Sequence, residues 1–204
     1  MNKKGEPPPS SPKPAPNKRW VGVTLAALAS ALFTASFFQP WWSFVLYAPQ
    51  YPSGLSLLIS LTGPSGDVRE VNMLNHYIGM ASLDEAAVIE SQLAGWGIGV
   101  LCITVLTLAF LGRRRMAWIG AALGMALPVG FIADTSFWMY HFGHTLDPRA
   151  PLRIQSFTPQ LFGNGVIGQF MTFAVPARGF WLALAGAVLL LIGAVIVSRR
   201  PRPA

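Results

Sequence analysis

The chain has 204 residues, of which 52% are hydrophobic and only 11% are charged. This composition is typical of integral membrane proteins and argues against a soluble domain of this length. The net charge of +7 does not indicate nucleic acid, because the basic residues lie beside apolar stretches and no basic face with interleaved aromatics occurs elsewhere. We therefore predict the lipid bilayer as a partner and exclude nucleic acid.

The two ends of the chain are predicted to be cytoplasmic tails. Residues 1–19 are rich in proline, with scattered lysines and almost no apolar side chains. Such a segment cannot bury enough surface to order itself, so we predict that it is disordered. Residues 199–204 are predicted to form a second, short tail.

Four apolar stretches predict four membrane spans. Each is close to the roughly 20 residues that a helix needs to cross a hydrocarbon core of about 30 Å. The predicted spans are residues 20–38, 92–112, 116–134 and 180–197. We therefore predict an all-α integral membrane protein whose four-span domain covers residues 20–198. Its two external loops, residues 39–91 and 135–179, are predicted to be structured and to carry short strands.

The distribution of basic residues predicts the orientation of these spans. Most of the 15 lysines and arginines lie before the first span, in the turn between the second and third spans, or after the fourth. Lysine and arginine on short loops are retained in the cytoplasm. Both termini are therefore predicted to be cytoplasmic, with both long loops outside a bacterial inner membrane.

The first external loop contains a possible copper site. Met73, His76 and Met80 would share one face of a helix, and an imidazole with two thioethers suits monovalent copper. Methionines at this spacing also occur simply as packing residues. Earlier in this loop, residues 55–61 alternate well enough for a short strand, and Trp41 and Trp42 are predicted to lie in an interfacial aromatic belt.

The second external loop holds a histidine pair. His141 and His144 are spaced to share a helix face, on the same side as Asp134, if the third span continues that far. Such a pair can bind a metal, ligate a haem or relay protons. Asp147 is followed by proline, which predicts the helix end. Residues 152–154 are predicted to be strand-like.

The two halves of the chain have a weak internal similarity. Residues 57–64 and 152–159 both read as alternating apolar residues that end in a threonine and proline element. A duplication would bring the two loops together as one external cap over a four-helix bundle.

Three strings in the external loops resemble a group of small four-span bacterial membrane proteins associated with nitrous oxide reductase gene clusters and copper handling. They are APQYP at residues 48–52, LNHYIGM at residues 74–80 and GHTLDP at residues 143–148. The resemblance implies an accessory role in the assembly, copper supply or electron supply of an exported copper enzyme, with other membrane or periplasmic respiratory proteins as partners. His76, His144 and Asp147 lie within the matching strings.

The sequence leaves three kinds of function open. The first is an accessory factor that holds or passes copper, with Met73, His76, Met80, His141, His144 and Asp147 as candidate ligands. The second is a redox subunit that binds haem b or a quinol. The third is a structural subunit that docks a partner without a cofactor. An enzyme is not favoured, since no nucleophile and base motif or nucleotide fingerprint occurs. Because the single cysteine, Cys102, lies within a span, the external loops are predicted to hold no disulfide and no thiolate metal ligand.

Overall fold

A computed structural model describes residues 18–167 and 169–199. Within these residues the elements in chain order are α1 (Lys18–Phe37), β1 (Trp42–Ala48), β2 (Tyr51–Ser60), β3 (Gly63–Gly66), α2 (Val68–Ile78), α3 (Val88–Leu111), α4 (Arg114–His144), β4 (Gly163–Ile167), β5 (Phe170–Pro176) and α5 (Arg178–Ser198). A short 3-10 helix, Leu83–Glu85, precedes α3. The predicted disordered tail falls outside the described residues except for its last two, which begin α1, and Arg199 is the one described residue of the second tail.

The prediction of an all-α protein is wrong, because the fold contains a five-stranded antiparallel sheet. Its strand order is β3-β2-β1-β5-β4. The first external loop contributes β1, β2 and β3, and the second contributes β4 and β5. Pairing of β1 with β5, from Trp42 opposite Pro176 to Tyr47 opposite Met171, joins the two loops in one sheet. The helices therefore carry a substantial β cap rather than isolated short strands.

Four helices are long and apolar enough to cross a membrane, namely α1, α3, α4 and α5. They begin and end within a few residues of the predicted spans, with one exception. Helix α4 continues to His144 instead of ending near residue 134, because neither a proline nor a helix-ending glycine interrupts it there. Between α3 and α4, Gly112 adopts φ +64°, the left-handed conformation that ends helices and that glycine adopts without strain.

The four long helices form a bundle in which α1 and α4 each pack against both α3 and α5. Small residues bring α1 and α5 close together. A side chain at Gly186 would lie only 3.0 Å from the ring of Phe33 and 3.2 Å from the carbonyl oxygen of Ala29. Close backbone approach through small residues is a general way to pack helices in a membrane.

Two tryptophans join the bundle to the sheet, and the prediction that they lie in an interfacial belt is wrong. Trp41 and Trp42 are both completely buried. The Trp41 ring lies 4.8 Å from Phe131, and the Trp42 ring lies 5.4 Å from Phe180. Each indole N–H is satisfied by a main-chain carbonyl oxygen, as buried tryptophans require. These rings form the core between the cap and the helices.

The sheet has a buried inner face and an exposed outer face. Helix α2 covers part of the inner face, where Val71, Leu74 and Ile78 pack with Leu55 and Phe170. Residues 152–160 cross the cap without forming a strand, so the strand-like prediction for residues 152–154 is wrong. The strand of the second loop that pairs with the first loop is β5 instead. The cap thus joins both loops, but not through the two similar segments.

Candidate functional site

The proposed copper ligands of the first loop are divided between two surfaces. Met73 and His76 are exposed on α2 and line a shallow, open depression together with Tyr77 and Asp84. Helix α2 ends at Ile78, and Gly79 adopts a left-handed φ of +81°. Met80 therefore leaves the helix face and lines a different, apolar cavity. The structure brings together two of the three side chains that the helical spacing grouped.

His141 and His144 lie on the last turn of α4 and are exposed. His141 stacks on Phe137 with ring centroids 5.9 Å apart, and His144 stacks on Tyr140 at 4.0 Å. The Nδ1 atom of His144 lies 2.9 Å from the carbonyl oxygen of Tyr140. A carbonyl oxygen only accepts, so Nδ1 is the donor, which leaves the Nε2 lone pair of the neutral ring available to a metal or a proton donor.

Asp147 has a structural role in this geometry. Its carboxylate Oδ1 accepts the Arg149 amide at 2.8 Å, and its own amide donates to the Gly79 carbonyl oxygen at 2.8 Å. A side chain at Gly79 would lie 2.8 Å from the Asp147 carbonyl oxygen. The Leu152 amide also donates to the Tyr77 carbonyl oxygen at 2.9 Å. The end of α2 that carries His76 therefore abuts the loop that follows His144.

These residues do not form a compact group of ionisable ligands. Among residues 18–167 and 169–199, no cluster of three or more histidine, cysteine, aspartate or glutamate side chains is placed to hold a metal ion. This statement does not cover methionine side chains, such as that of Met73. What the structure provides is two histidine-bearing helix ends fixed to each other through Gly79 and Asp147.

The outer face of the sheet carries an apolar row that the sequence analysis did not identify. Val166, Met171 and Tyr47 are cross-strand neighbours on β4, β5 and β1, and Phe173 lies on the same face of β5. Val166 is 71% exposed and Met171 is 58% exposed. The residues of β5 are largely apolar on both faces, so no alternation in the sequence marks the exposed one.

A partly open apolar cavity of about 270 Å³ lies where the β2–β3 hairpin meets α3 and α4. Two carboxylates line it, Glu90 from the first turn of α3 and Asp134 from α4. Trp138 lies one helical turn after Asp134 and also lines the cavity, with its indole beside the Asp134 carboxylate. Helical spacing placed Asp134 on the side of the histidine pair, but no local pattern in the sequence indicates Glu90, which reaches the same cavity from another helix.

The fold and these surfaces define a protein with four helices that can cross a membrane and a β cap at one end of the bundle. No protein-family model matches the chain, and no curated protein sequence matches it with significance.

Proposed function

We propose that this protein is an accessory membrane protein that supports an exported copper enzyme, such as nitrous oxide reductase, in its assembly, copper supply or electron supply. The class of partner comes from the resemblance of the loop strings at residues 48–52, 74–80 and 143–148. All three strings belong to the cap or its supports, since the first connects β1 to β2 and the other two meet at the contact between Gly79 and Asp147.

The observation that carries the proposal is the apolar row on the outer face of the cap. Val166, Met171 and Tyr47 are well exposed, yet they sit on a sheet whose inner face is anchored to the bundle. Contiguous exposed apolar surface on an ordered scaffold is typical of protein interaction sites. The row is the surface of the cap that we assign to the exported copper enzyme.

In this proposal the cap faces the periplasm and the opposite end of the bundle faces the cytoplasm. The opposite end carries Lys18, Arg19 and the basic turn at residues 113–115, and Arg19 stacks over the Phe110 ring at 4.6 Å. Concentration of basic residues at one end of a bundle favours its retention in the cytoplasm. The same distribution of basic residues places both termini of the proposed inner-membrane protein in the cytoplasm.

The copper role is assigned to the junction of α2 and α4. His144 presents a free Nε2, and Met73 lies beside His76 on the neighbouring surface. Imidazole and thioether ligands suit monovalent copper. His141 extends this ligand set on the last turn of α4.

The docking step is tested by binding of the purified copper enzyme, in its copper-free form, to the full chain in lipid nanodiscs. Met171→Asp places a charge in the apolar row, and we expect it to weaken binding by at least about tenfold, as for a residue near the centre of an interface. Ser65→Asp is the matched control, because it adds the same charge to β3, the edge strand at the far side of the sheet from Met171. No binding by the wild-type chain, or equal binding by Met171→Asp, would show that the outer face is not the docking surface.

The copper step is tested by the metal content and visible spectrum of the purified chain. A variant with His76→Ala, His141→Ala and His144→Ala should lose copper that the wild-type chain retains after exposure to Cu(I). A haem absorption band in the wild-type protein that is absent from this variant would show that the histidines bind haem rather than copper. Equal copper in both proteins would remove the histidines from the proposal while leaving docking to be judged by its own assay.

A further inference from the structure

A shallow depression lies on the flank of the bundle, where α1 ends and α5 begins. It is lined by Ala35 and Gln39 on one side and by Arg178, Trp181 and Leu182 on the other. Both helices are able to cross a membrane, and the depression lies at the ends that carry the cap. It therefore faces the edge of the bilayer rather than its middle.

The main chain holds the two sides of this depression together. The Gly179 amide donates to the carbonyl oxygen of Pro40 at 2.7 Å, and a side chain at Gly179 would lie 2.7 Å from the Gln39 carbonyl oxygen. The beginning of α5 is thus packed directly against the chain that leaves α1. This contact keeps Arg178 beside Gln39, so the depression is a fixed feature of the fold.

Arg178 differs in position from the other cations at the ends of the long helices. Lys18, Arg19 and residues 113–115 lie at the opposite end of the bundle, where retention in the cytoplasm explains them. Arg178 is exposed at the cap end, and no hydrogen bond or ion pair joins its side chain to another described residue. Membrane topology does not require a cation here, and the described part of the chain supplies no counter-ion for it.

The polar groups of the depression can all donate hydrogen bonds, and none of them is acidic. The Arg178 guanidinium and the Trp181 indole N–H only donate, and the Gln39 amide can donate. Trp181 is 57% exposed, so its N–H is within reach of a ligand. Because a guanidinium pairs with phosphate through two parallel charge-assisted hydrogen bonds, this set of donors favours a phosphate group over a cation or a plain acyl chain.

We propose that this depression binds the headgroup of a phospholipid that carries a net negative charge, such as phosphatidylglycerol. The lipid phosphate accepts from Arg178, and Gln39 and Trp181 donate to the phosphate or ester oxygens. The acyl chains extend past Ala35 and Leu182 into the hydrocarbon core. A zwitterionic lipid such as phosphatidylethanolamine also carries an ammonium group, for which the depression offers no carboxylate.

The proposal is independent of the proposed copper enzyme. The depression includes neither the apolar row of the cap nor any of the candidate copper ligands. Loss of lipid binding would therefore leave the docking and copper assays unchanged, and failure of those assays would leave lipid binding intact.

The first test measures phosphatidylglycerol binding to the full chain in detergent by native mass spectrometry over a lipid titration. Arg178→Gln removes the charge and keeps a hydrogen-bond donor. Arg153→Gln is the matched control, because Arg153 is an exposed cation of the cap that does not line the depression. The basic residues at the other end of the bundle are the same in all three proteins, so the comparison isolates the depression.

We expect Arg178→Gln to weaken the binding of one phosphatidylglycerol by about fivefold. This change corresponds to about 1 kcal/mol, the upper end for an exposed ion pair. Arg153→Gln should leave the affinity within about twofold of the wild-type value. Phosphatidylethanolamine binding should respond less to Arg178→Gln than phosphatidylglycerol binding does.

The second test addresses the indole. Trp181→Phe keeps an aromatic ring at the edge of the bilayer and removes the N–H donor, so it should weaken phosphatidylglycerol binding by about two- to threefold, as for the loss of one hydrogen bond. Trp96→Phe is the matched control, because Trp96 is exposed on α3 and does not line the depression. It should bind the lipid as the wild-type chain does.

Three results would overturn the proposal. Equal phosphatidylglycerol affinity in Arg178→Gln and Arg153→Gln would show that the lipid does not bind at Arg178. Equal losses of both lipids in Arg178→Gln would contradict the preference for a negative headgroup. Displacement of phosphatidylglycerol by inorganic phosphate would make the depression an ion site rather than a lipid site. Circular dichroism confirms that each variant is folded, and the Trp181 and Trp96 pair decides the matter if Arg178→Gln does not fold.

Discussion

Trp41→Phe is expected to destabilise the protein substantially, because Trp41 joins the cap to the bundle. Its side chain is completely buried, and its indole N–H donates to the Ser36 carbonyl oxygen at 3.0 Å. Its main chain also links the sheet to the start of α5, since its amide donates to the carbonyl oxygen of Ile59 on β2 and its carbonyl oxygen accepts from the amide of Ala177. Phenylalanine keeps the main-chain bonds and removes only the indole contribution.

The magnitude follows from two losses. The hydrogen bond contributes about 1 kcal/mol, and removing part of a buried ring system costs about 1 to 2 kcal/mol in transfer free energy and residual cavity. The Ser36 carbonyl oxygen also accepts the Gln39 amide at 3.1 Å, so it is not left unsatisfied and no further penalty applies. We expect a loss of about 2 to 3 kcal/mol, or a melting midpoint lower by roughly 5 to 10 °C at about 2 to 4 °C per kcal/mol.

The assay is thermal denaturation of the detergent-solubilised chain, followed by circular dichroism and by the fraction that remains monodisperse. Trp96→Phe is the matched control, because Trp96 is 77% exposed on α3 and the chemical change is the same. The control should shift stability by less than about 0.5 kcal/mol, as surface substitutions usually do. Equal midpoints for the two variants would refute the conclusion that Trp41 stabilises the junction.

Two further substitutions test local features of the cap. Gly143→Ala should destabilise the protein or prevent folding, because a side chain there would overlap the Phe157 carbonyl oxygen. Gly130→Ala in the same helix meets nothing within 4 Å and should stabilise the protein by about 0.5 to 1 kcal/mol. The melting midpoints of the two variants are compared in detergent. Asp67→Ala should cost about 1 to 2 kcal/mol, because the Asp67 carboxylate accepts the Ser56 amide at 2.7 Å and a charged acceptor strengthens such a bond. Asp67→Asn keeps an acceptor and should retain most of that stability, so equal losses in both Asp67 variants would contradict the hydrogen-bond explanation.

The helices could be predicted because the signal for a membrane span is local. A stretch of about 20 apolar residues is sufficient, and α1, α3, α4 and α5 each contain one. The span predicted at residues 116–134 is shorter than helix α4, which continues to His144, because a carboxylate at position 134 does not stop a helix. Strand β2 was also predictable, since alternation over residues 55–61 falls largely within it.

The sheet could not be predicted because its central pairing is distant in sequence. β1 pairs with β5 across more than a hundred residues, and no local pattern encodes that contact. Paired tryptophans such as Trp41 and Trp42 occur both in interfacial belts and in buried cores, so only the tertiary structure shows which environment they occupy. The edge strand β4, Gly163–Ile167, was not predicted, since two of its five residues are glycines and glycine has low strand propensity.

The candidate sites divide in the same way. The sequence could group Met73 with His76, because one helix holds both, but it could not foresee that Gly79 turns the chain before Met80. The cavity escaped prediction because Glu90 and Trp138 lie on different helices and meet only in the folded bundle. Whether the histidines or Asp147 bind a metal stays a prediction.

The pairing of β1 with β5 also constrains the order in which the chain can assemble. β1 follows the first helix and acquires β2 early in synthesis, but its other edge stays unpaired until β5 has emerged. Exposed strand edges are prone to pair with other chains, and non-local pairing is slow because a long loop must first close. The nascent protein therefore passes through a stage in which the first three long helices, α1, α3 and α4, are complete while β1 still has one unpaired edge. Truncation before residue 170 should yield aggregation-prone material rather than a smaller stable domain.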